Sequence, residues 1–311
     1  MVDAERGHEH SYHTPVMLQE VLDLVLTDPD GLYLDGTIGG GGHAAAILKR
    51  LQGGKLIGFD ADPDAIAACR GAFREELARG AQSRLELVHG SYLLACSKEE
   101  IRARIAGLVS GIVLDLGVSS HQLDEPSRGF SYRYDAPLDL RFGGPSSAAP
   151  SAAELLAELD ERAIADLLYR YGQERTSRRI ARAIVRARRT MPIRTTGQLR
   201  TIVEQCVPPR IRYDVLSRVF QALRIAVNGE LEQLEAFLDC VPDLLRPGGR
   251  VVVIAYHSLE DRIVKLAFRQ HAAAGRLRVL TRKPLRPTAE ELAHNVRARS
   301  AKLRAAEKVS A

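Results

Sequence analysis

At 311 residues and 45% hydrophobic, the chain can bury a large core and hold two domains, and no run approaches the ~18 apolar residues of a membrane span. Its 44 Lys and Arg against 39 Asp and Glu give a net charge of +5, a mild pull toward an anionic partner. Four cysteines without a CxxC pair lead us to expect neither a metal site nor a disulfide framework, and the lack of an apolar signal core near the start makes the cytoplasm the expected location.

In chain order, residues 1–12 read as disordered. Thr14-Pro15 opens a helix with Val16, Met17, Val21, Leu24 and Val25 at helical spacing. A strand–helix alternation follows: a strand at 32–34 closed by Asp35, a glycine loop and a helix at 43–51, then a strand at 55–59 closed by Asp60 and a helix at 63–77. Strands at 84–88 and 112–116, the latter ending around Asp115, continue it. Short apolar strands between helices of this length predict a parallel sheet covered on both faces. After Asp115 the alternation stops. Residues 117–150 read as loop, and from Ser151 the pattern is helical (153–159, 163–171, 176–189, 196–206), with a long helix at 215–238. Strand character returns at 250–255 after Arg246-Pro247-Gly248-Gly249, with two last strands at 276–280 and 301–306. The expected architecture is a Rossmann-like α/β core at 13–135 and 215–311, interrupted by an all-helical, Arg-rich insertion at 136–214.

Charge is unevenly spread. Arg162 to Arg224 contains fifteen Arg, no Lys and four acids, and Arg276 to Lys308 holds ten basic residues against three acidic ones. Such clustering suits a surface that tracks phosphates, because each neutralised phosphate releases counterions. It also suits ordinary solvated helix faces.

The segment Asp35-Gly36-Thr37-Ile38-Gly39-Gly40-Gly41-Gly42-His43 lies where a first strand turns into a first helix, and Gly39, Gly41 and Ala44 satisfy GxGxxA. That pattern alone admits a dinucleotide. Asp35 tips the choice toward S-adenosylmethionine, because an acid there can face the methionine ammonium, whereas it would repel a pyrophosphate. Asp60, closing the second strand, is placed to accept the ribose hydroxyls of either nucleoside. At the end of the fourth strand Asp115 is the expected catalytic group, flanked by Ser119 and Ser120. Ligands bind beyond the carboxyl ends of parallel strands, and a carboxylate there can accept from an exocyclic amine. His257, after the last long strand, could contact base or backbone or be purely structural, and Glu260 and Asp261 are expected to cap the helix that follows.

These strings resemble the bacterial small-subunit (16S) ribosomal RNA cytosine-N4 methyltransferases, the RsmH or MraW family. The resemblance runs from His13-Thr14-Pro15 through Asp35–His43, Asp60–Pro63, Asp115–Asp124, Arg128-Gly129-Phe130-Ser131, Pro137–Arg141, Tyr171–Arg175, Phe220–Arg224 and His257–Arg262 to Asn295–Arg304. It implies N4-methylation of a cytidine in the decoding region. It also implies cofactor contacts at Gly41, Gly42, His43, Asp60, Tyr92 (often Phe in relatives), Asp115 and Gln122. Val296 stands where a proline is common. Direct transfer to the exocyclic amine is expected, since no cysteine nucleophile lies in either substrate cluster. A target base must be splayed out of its stack, with Phe130, Tyr132 and Tyr134 as candidate platforms and Arg141, Arg178, Arg182 and Arg186 as RNA contacts. Ribosomal RNA or the small subunit is the expected partner, with neither membrane nor DNA, and a homodimer stays open. An NAD-linked dehydrogenase shares the glycine loop, and a DNA amino-methyltransferase shares the chemistry but would carry a Pro-Pro-aromatic motif after the acid. Those are the alternatives.

Overall fold

The computed structural model describes residues 15–310, so the stretch 1–12 expected to be disordered lies outside the described residues. Seven strands form one sheet: β1 (Leu32–Asp35), β2 (Lys55–Asp60), β3 (Leu85–His89), β4 (Val109–Asp115), β5 (Leu245–Ala255), β6 (Leu277–Val279) and β7 (Lys302–Lys308). Their order is β3-β2-β1-β4-β5-β7-β6, all parallel except β7, which runs antiparallel to both neighbours. The Rossmann-like class expected from the alternation is what the chain forms.

Helices cover both faces. α1 (Leu18–Val25), α2 (Gly42–Arg50), α3 (Pro63–Ala72) and the one-turn α4 (Arg74–Leu77) precede β3, and α5 (Leu94–Ser97) and α6 (Glu99–Ile105) precede β4. Along β4, Val113 joins an apolar core with α1–α3 (Val21, Ala44, Ile47, Ile66), while Ile112 and Leu114 face a core built with Ile101 and Ile105. This is the period-two alternation of a strand buried on both sides.

Beyond β4 come α7 (Ser120–Asp124), then α8 (Ala152–Glu158), α9 (Glu161–Gly172), α10 (Ser177–Arg188), α11 (Thr196–Cys206) and α12 (Arg212–Asn228). In α10, Ile180, Ala181 and Ile184 are fully buried while Arg178, Arg179, Arg182 and Arg186 face outward. The Arg-rich stretch is therefore an amphipathic helix with one apolar stripe. A third apolar core extends from Phe130 to Val227 and takes in Val215, Leu216, Val219 and Leu223 of α12. The helix expected at 215–238 is in fact two: Gly229, at φ 58°, ends α12 and starts α13 (Glu230–Leu244), which packs on the sheet. α14 (Ser258–Ala273) follows β5, and α15 (Ala289–His294) lies between β6 and β7.

The expectation about the cysteines also fails. Cys96 of α5 and Cys240 of α13 are joined as a disulfide, with Cα atoms 6.4 Å apart. They are 144 residues apart in sequence, so no spacing motif could reveal the pairing. Cys69 and Cys206 are free and buried. Among the described residues no helix is long and apolar enough to cross a membrane.

Candidate active site

A cleft of about 1210 Å³ opens at the carboxyl ends of the parallel strands, where the ends of β1, β2 and β4 carry Asp35, Asp60 and Asp115. The glycine loop crosses its floor. Asp60 holds that loop, with Oδ2 accepting from Gly39 N–H at 2.8 Å and Oδ1 from Asp62 N–H at 2.9 Å. Gly41 precedes α2 as its N-cap at φ 82°, and a Cβ there would lie 2.6 Å from the Phe73 ring. Only glycine fits that corner.

Asp35 is 1% exposed. Its Oδ1 accepts from Thr37 N–H at 3.2 Å, whereas Oδ2 is buried with no hydrogen-bond partner among the described residues. Burial pushes this carboxyl up to about 7, against the pull of the Thr37 N–H, and desolvation lifts the partly buried Asp60 to about 6. A buried acceptor left without a donor costs free energy until a donor reaches it. This site thus fits a cationic nucleoside such as S-adenosylmethionine, whose ammonium would meet Asp35. A pyrophosphate would add negative charge beside an acid already strained by burial, which counts against the dinucleotide reading.

Asp115 is the most connected of the three acids. Its backbone N–H donates to Thr37 Oγ1 at 2.7 Å, and its Oδ1 accepts from the Tyr256 hydroxyl at 2.7 Å. Its Oδ2 lies 3.9 Å from His43 Nδ1. Burial raises the Asp115 carboxyl, and His43 and Tyr256 offset the rise. His43 lines the cleft, but its ring is engaged: Nε2 donates to the Val16 carbonyl at 3.1 Å, so the buried imidazole is a strut between the segment before α1 and Asp115. Tyr92 stands in the cleft wall with its ring edge-on to Phe237 at 5.0 Å.

Several expected site residues have structural duties. His257 caps α14: its Nδ1 accepts from Glu260 N–H at 3.3 Å and its Nε2 lies 3.1 Å from Glu260 Oε1. It is absent from the cleft lining, which instead has Tyr256 and Glu260, so the catalytic role expected for His257 gives way to capping. Burial would raise Glu260, but the bonds from His257, the nearby Arg224 and the Tyr256 N–H hold it below the usual carboxylate range. Ser119 and Ser120 both line the cleft, and Ser119 also caps α7 by accepting from Gln122 N–H at 3.2 Å. Gln122 also lines it, yet its amide is engaged at both ends, accepting from Ser119 N–H at 2.9 Å and donating to Asp62 at 2.8 Å.

On the substrate side, Phe130 is 6% exposed and stacked on Phe142 at 5.7 Å, part of the insertion's core and not a free platform. Tyr132 is held by its hydroxyl 3.0 Å from Ser217 Oγ and by its ring edge-on to Phe220, whereas Tyr134 is 48% exposed. Arg141 does not reach outward. It forms a two-point pair with Asp139 (2.9 and 2.6 Å) and donates to the Ser147 and Ala149 carbonyls, so it serves its own loop. Arg178, Arg182 and Arg186 are exposed on α10, and Arg182 lies 3.5 Å from Glu161 of α9 in an ion pair.

Sequence reasoning missed four contributors: Tyr256, the partly buried pair Arg224–Glu230 (2.8 Å), Arg128 behind the wall, and residues Asn295–Ser300, which close one side of the cleft. Tyr256 had a usable signal, since it directly follows the strand paired with β4 at Asp115–Ile254. Among the described residues no group of three or more His, Cys, Asp or Glu is placed to hold a metal ion.

A family model described as the MraW methylase family matches residues 10–309. The chain is 48% identical to the Ribosomal RNA small subunit methyltransferase H of Gluconobacter oxydans (strain 621H), over 95% of this chain and 93% of that one. It is 46% identical to the protein of that name from Heliobacterium modesticaldum (96% and 99% covered), and 46% identical to that from Granulibacter bethesdensis (98% and 95%). Solved structures superpose loosely: TrmN from Thermus thermophilus, 11% identical, reaches a TM-score of 0.43 over 94% of this chain and 48% of that one, too loose to bear on function.

Proposed function

The chain belongs to the MraW methylase family and is a methyltransferase, and from that premise we propose that it methylates the exocyclic N4 of a cytidine in the decoding region of 16S ribosomal RNA. The observation that carries this reading is Asp115, a partly buried carboxylate at the tip of β4, oriented by the Tyr256 hydroxyl and edging the same cleft as the glycine loop. Bound S-adenosylmethionine supplies an electrophilic methyl group that an amine nitrogen can take directly. Asp35 would meet its ammonium, Asp60 its ribose hydroxyls and Tyr92 its adenine.

The protein's own contribution is position and charge. Asp115 accepts an N4–H of the cytosine, which keeps the nitrogen lone pair available, and can receive the proton that the amine sheds after transfer. Tyr256, itself in the cleft lining, holds Asp115 through its hydroxyl, and Ser120 is free to contact the base. The insertion, 136–214 in the sequence reading, is the substrate-recognition unit, with α10 on the phosphates and the small ribosomal subunit or its RNA as partner in the cytoplasm.

The decisive experiment is mass spectrometry of 16S ribosomal RNA nucleosides from a deletion strain against its parent, with purified protein added back. Loss and restoration of N4-methylated cytidine is the expected result; an unchanged level rejects the assignment.

Cofactor affinity should depend on pH in a stated direction. The Asp35 carboxyl, at about 7 in the free protein, must be ionised to pair with an ammonium. Affinity is therefore expected to fall as pH drops from 7.5 to 5.5, by up to about tenfold per unit below 7. Asp60, at about 6, adds to the slope at the acid end. Calorimetric titration of wild type against Asp35→Asn reads this. The variant should bind more weakly and keep only the Asp60 part, and a flat wild-type profile would place the ammonium elsewhere.

For the RNA, Arg178→Glu, Arg182→Glu and Arg186→Glu together should weaken binding to a decoding-region fragment and make the slope of log affinity against log salt shallower by about 2–3. Unchanged binding would give this face another role.

A further inference from the structure

We propose that the sheet domain carries an RNA-phosphate track of its own, separate from the Arg-rich insertion and formed by α14 with the segment between β6 and α15; it rests on the ribosomal RNA reading above. Residues 262–289 contain eight Lys and Arg and no Asp or Glu. Two of the eight have acidic partners, Arg276 in Asp243 and Arg278 in Glu307, which Arg250 shares. The other six (Arg262, Lys265, Arg269, Arg282, Lys283 and Arg286) are exposed, and their side chains enter no ion pair or hydrogen bond with a described residue. The nearest acid on α14, Asp261, is already held by Arg304 at 2.7 Å and Lys302 at 3.7 Å. Such a concentration of unpaired positive charge is costly to keep together and is relieved by a polyanion.

Topology puts this charge beside the cleft. β6 is antiparallel to β7 and β7 to β5, so β6 points the same way as the parallel strands. After it the chain climbs along β7 until Leu285 bridges Leu303, which itself pairs with Ile254 just before the end of β5. Arg282, Lys283 and Arg286 thus emerge toward the carboxyl edge of the sheet, where the cleft opens. α14 starts from that edge, and Arg262, Lys265 and Arg269 lie on one of its faces at i, i+3 and i+7. Between the helix and the sheet edge is a second cavity, of about 310 Å³, bordered by Lys265, Arg269, Arg282 and Arg304 above the buried Phe268. The same segment continues past α15 into Val296–Ser300, which lines the cleft, and Arg297 ties it across to Asp124 at 3.1 Å.

The occupant is the phosphodiester backbone of the substrate RNA flanking the target base. Exposed apolar groups on the face, Leu266 and Leu285, are single side chains and not the contiguous patch that a folded protein partner would cover. Contacts of this kind position the strand without reading its sequence. The insertion and the sheet domain would then grip the RNA on two sides of the cleft.

The test is the triple variant Lys265→Glu/Arg269→Glu/Arg282→Glu, with a Gln triple as the milder partner should the Glu set not fold. Each is measured for affinity to a 16S decoding-region RNA fragment across a salt series, with circular dichroism and S-adenosylmethionine titration as fold controls. Affinity at 0.1 M salt should drop about tenfold or more, and the salt slope should become shallower by about 2–3, with cofactor affinity unchanged. Wild-type affinity and slope in both triples overturn the track. So does loss of binding to phosphatidylglycerol vesicles with RNA binding intact, which would assign the face to a membrane. If wild type itself shows no salt-dependent RNA binding and no methyl transfer, the function reading fails and the track with it; if wild type does both and the triples match it, only the track fails.

Discussion

Replacing Asp115 by Asn is expected to slow methyl transfer to 16S ribosomal RNA by about 10²–10³-fold in single-turnover assays, with the fold unchanged. The side chain has one oxygen on the Tyr256 hydroxyl and the other turned toward His43 and the cleft. An amide of the same shape must point its NH₂ at one of them. Either it loses the Tyr256 bond, or it offers a donor where the amine of the base also donates. A neutral amide also takes up no proton after transfer. Separate titration with S-adenosylmethionine divides the loss between binding and chemistry, and turnover within about threefold of wild type would remove Asp115 from the mechanism. Tyr256→Phe is the companion measurement. The hydroxyl helps to hold down a carboxyl that burial raises, so its removal should shift the acid limb of the pH–rate profile to higher pH, with a loss of about tenfold or less. A ring that only fills space would leave that limb where it was.

Arg128→Ala is expected to cost about 3–5 kcal/mol of stability, read as a lower urea midpoint in the absence of cofactor. The guanidinium is 7% exposed and bonds both Asp62 oxygens at 3.1 Å, Asp64 at 2.8 Å and the carbonyls of Arg141 (3.2 Å) and Phe142 (2.7 Å). Asp64 is half exposed and contributes little through solvent screening, so the cost comes from Asp62, at 1% exposure. Without Arg128, Asp62 is a buried charge facing only neutral donors, the Gln122 amide and the Asp64 N–H. Because that carboxylate links the Asp60 turn to α7, cofactor affinity should fall as well. Arg128→Lys should restore little, since a single ammonium cannot span the carboxylates and two carbonyls at once. A loss below about 1 kcal/mol would mean that the wall relaxes around the missing cation.

The three acids were legible because each closes a short apolar run, and a parallel sheet places such residues on one edge. Other features needed the folded chain. Ser110-Gly111 reads as turn punctuation, yet Ser110 is 1% exposed and β4 begins at Val109, paired with both β1 and β5. Helical periodicity runs through Asn228-Gly229, so the break between α12 and α13 shows only as a left-handed backbone. A histidine after a strand can cap or catalyse, and the difference for His257 lies in where Glu260 sits. The aromatics after Asp124 divide by burial: Phe130 inside, Tyr134 outside. Arg141 was misread because its partner is two residues away, and the disulfide because its halves meet only through the packing of α5 on α13.

The sheet order has a further result for synthesis. β5 is the neighbour of β4, yet everything from 116 to 244 lies between them in the chain. As the polypeptide leaves the ribosome, β1 to β4 can pair first, and β4, a strand almost wholly buried in the finished fold, then waits with a bare flank until some 130 more residues have been made, at about 5–20 residues per second. For several seconds the nascent enzyme holds an open strand edge of the kind that templates aggregation. Pausing of translation within the insertion should therefore lower soluble yield more than pausing after β5.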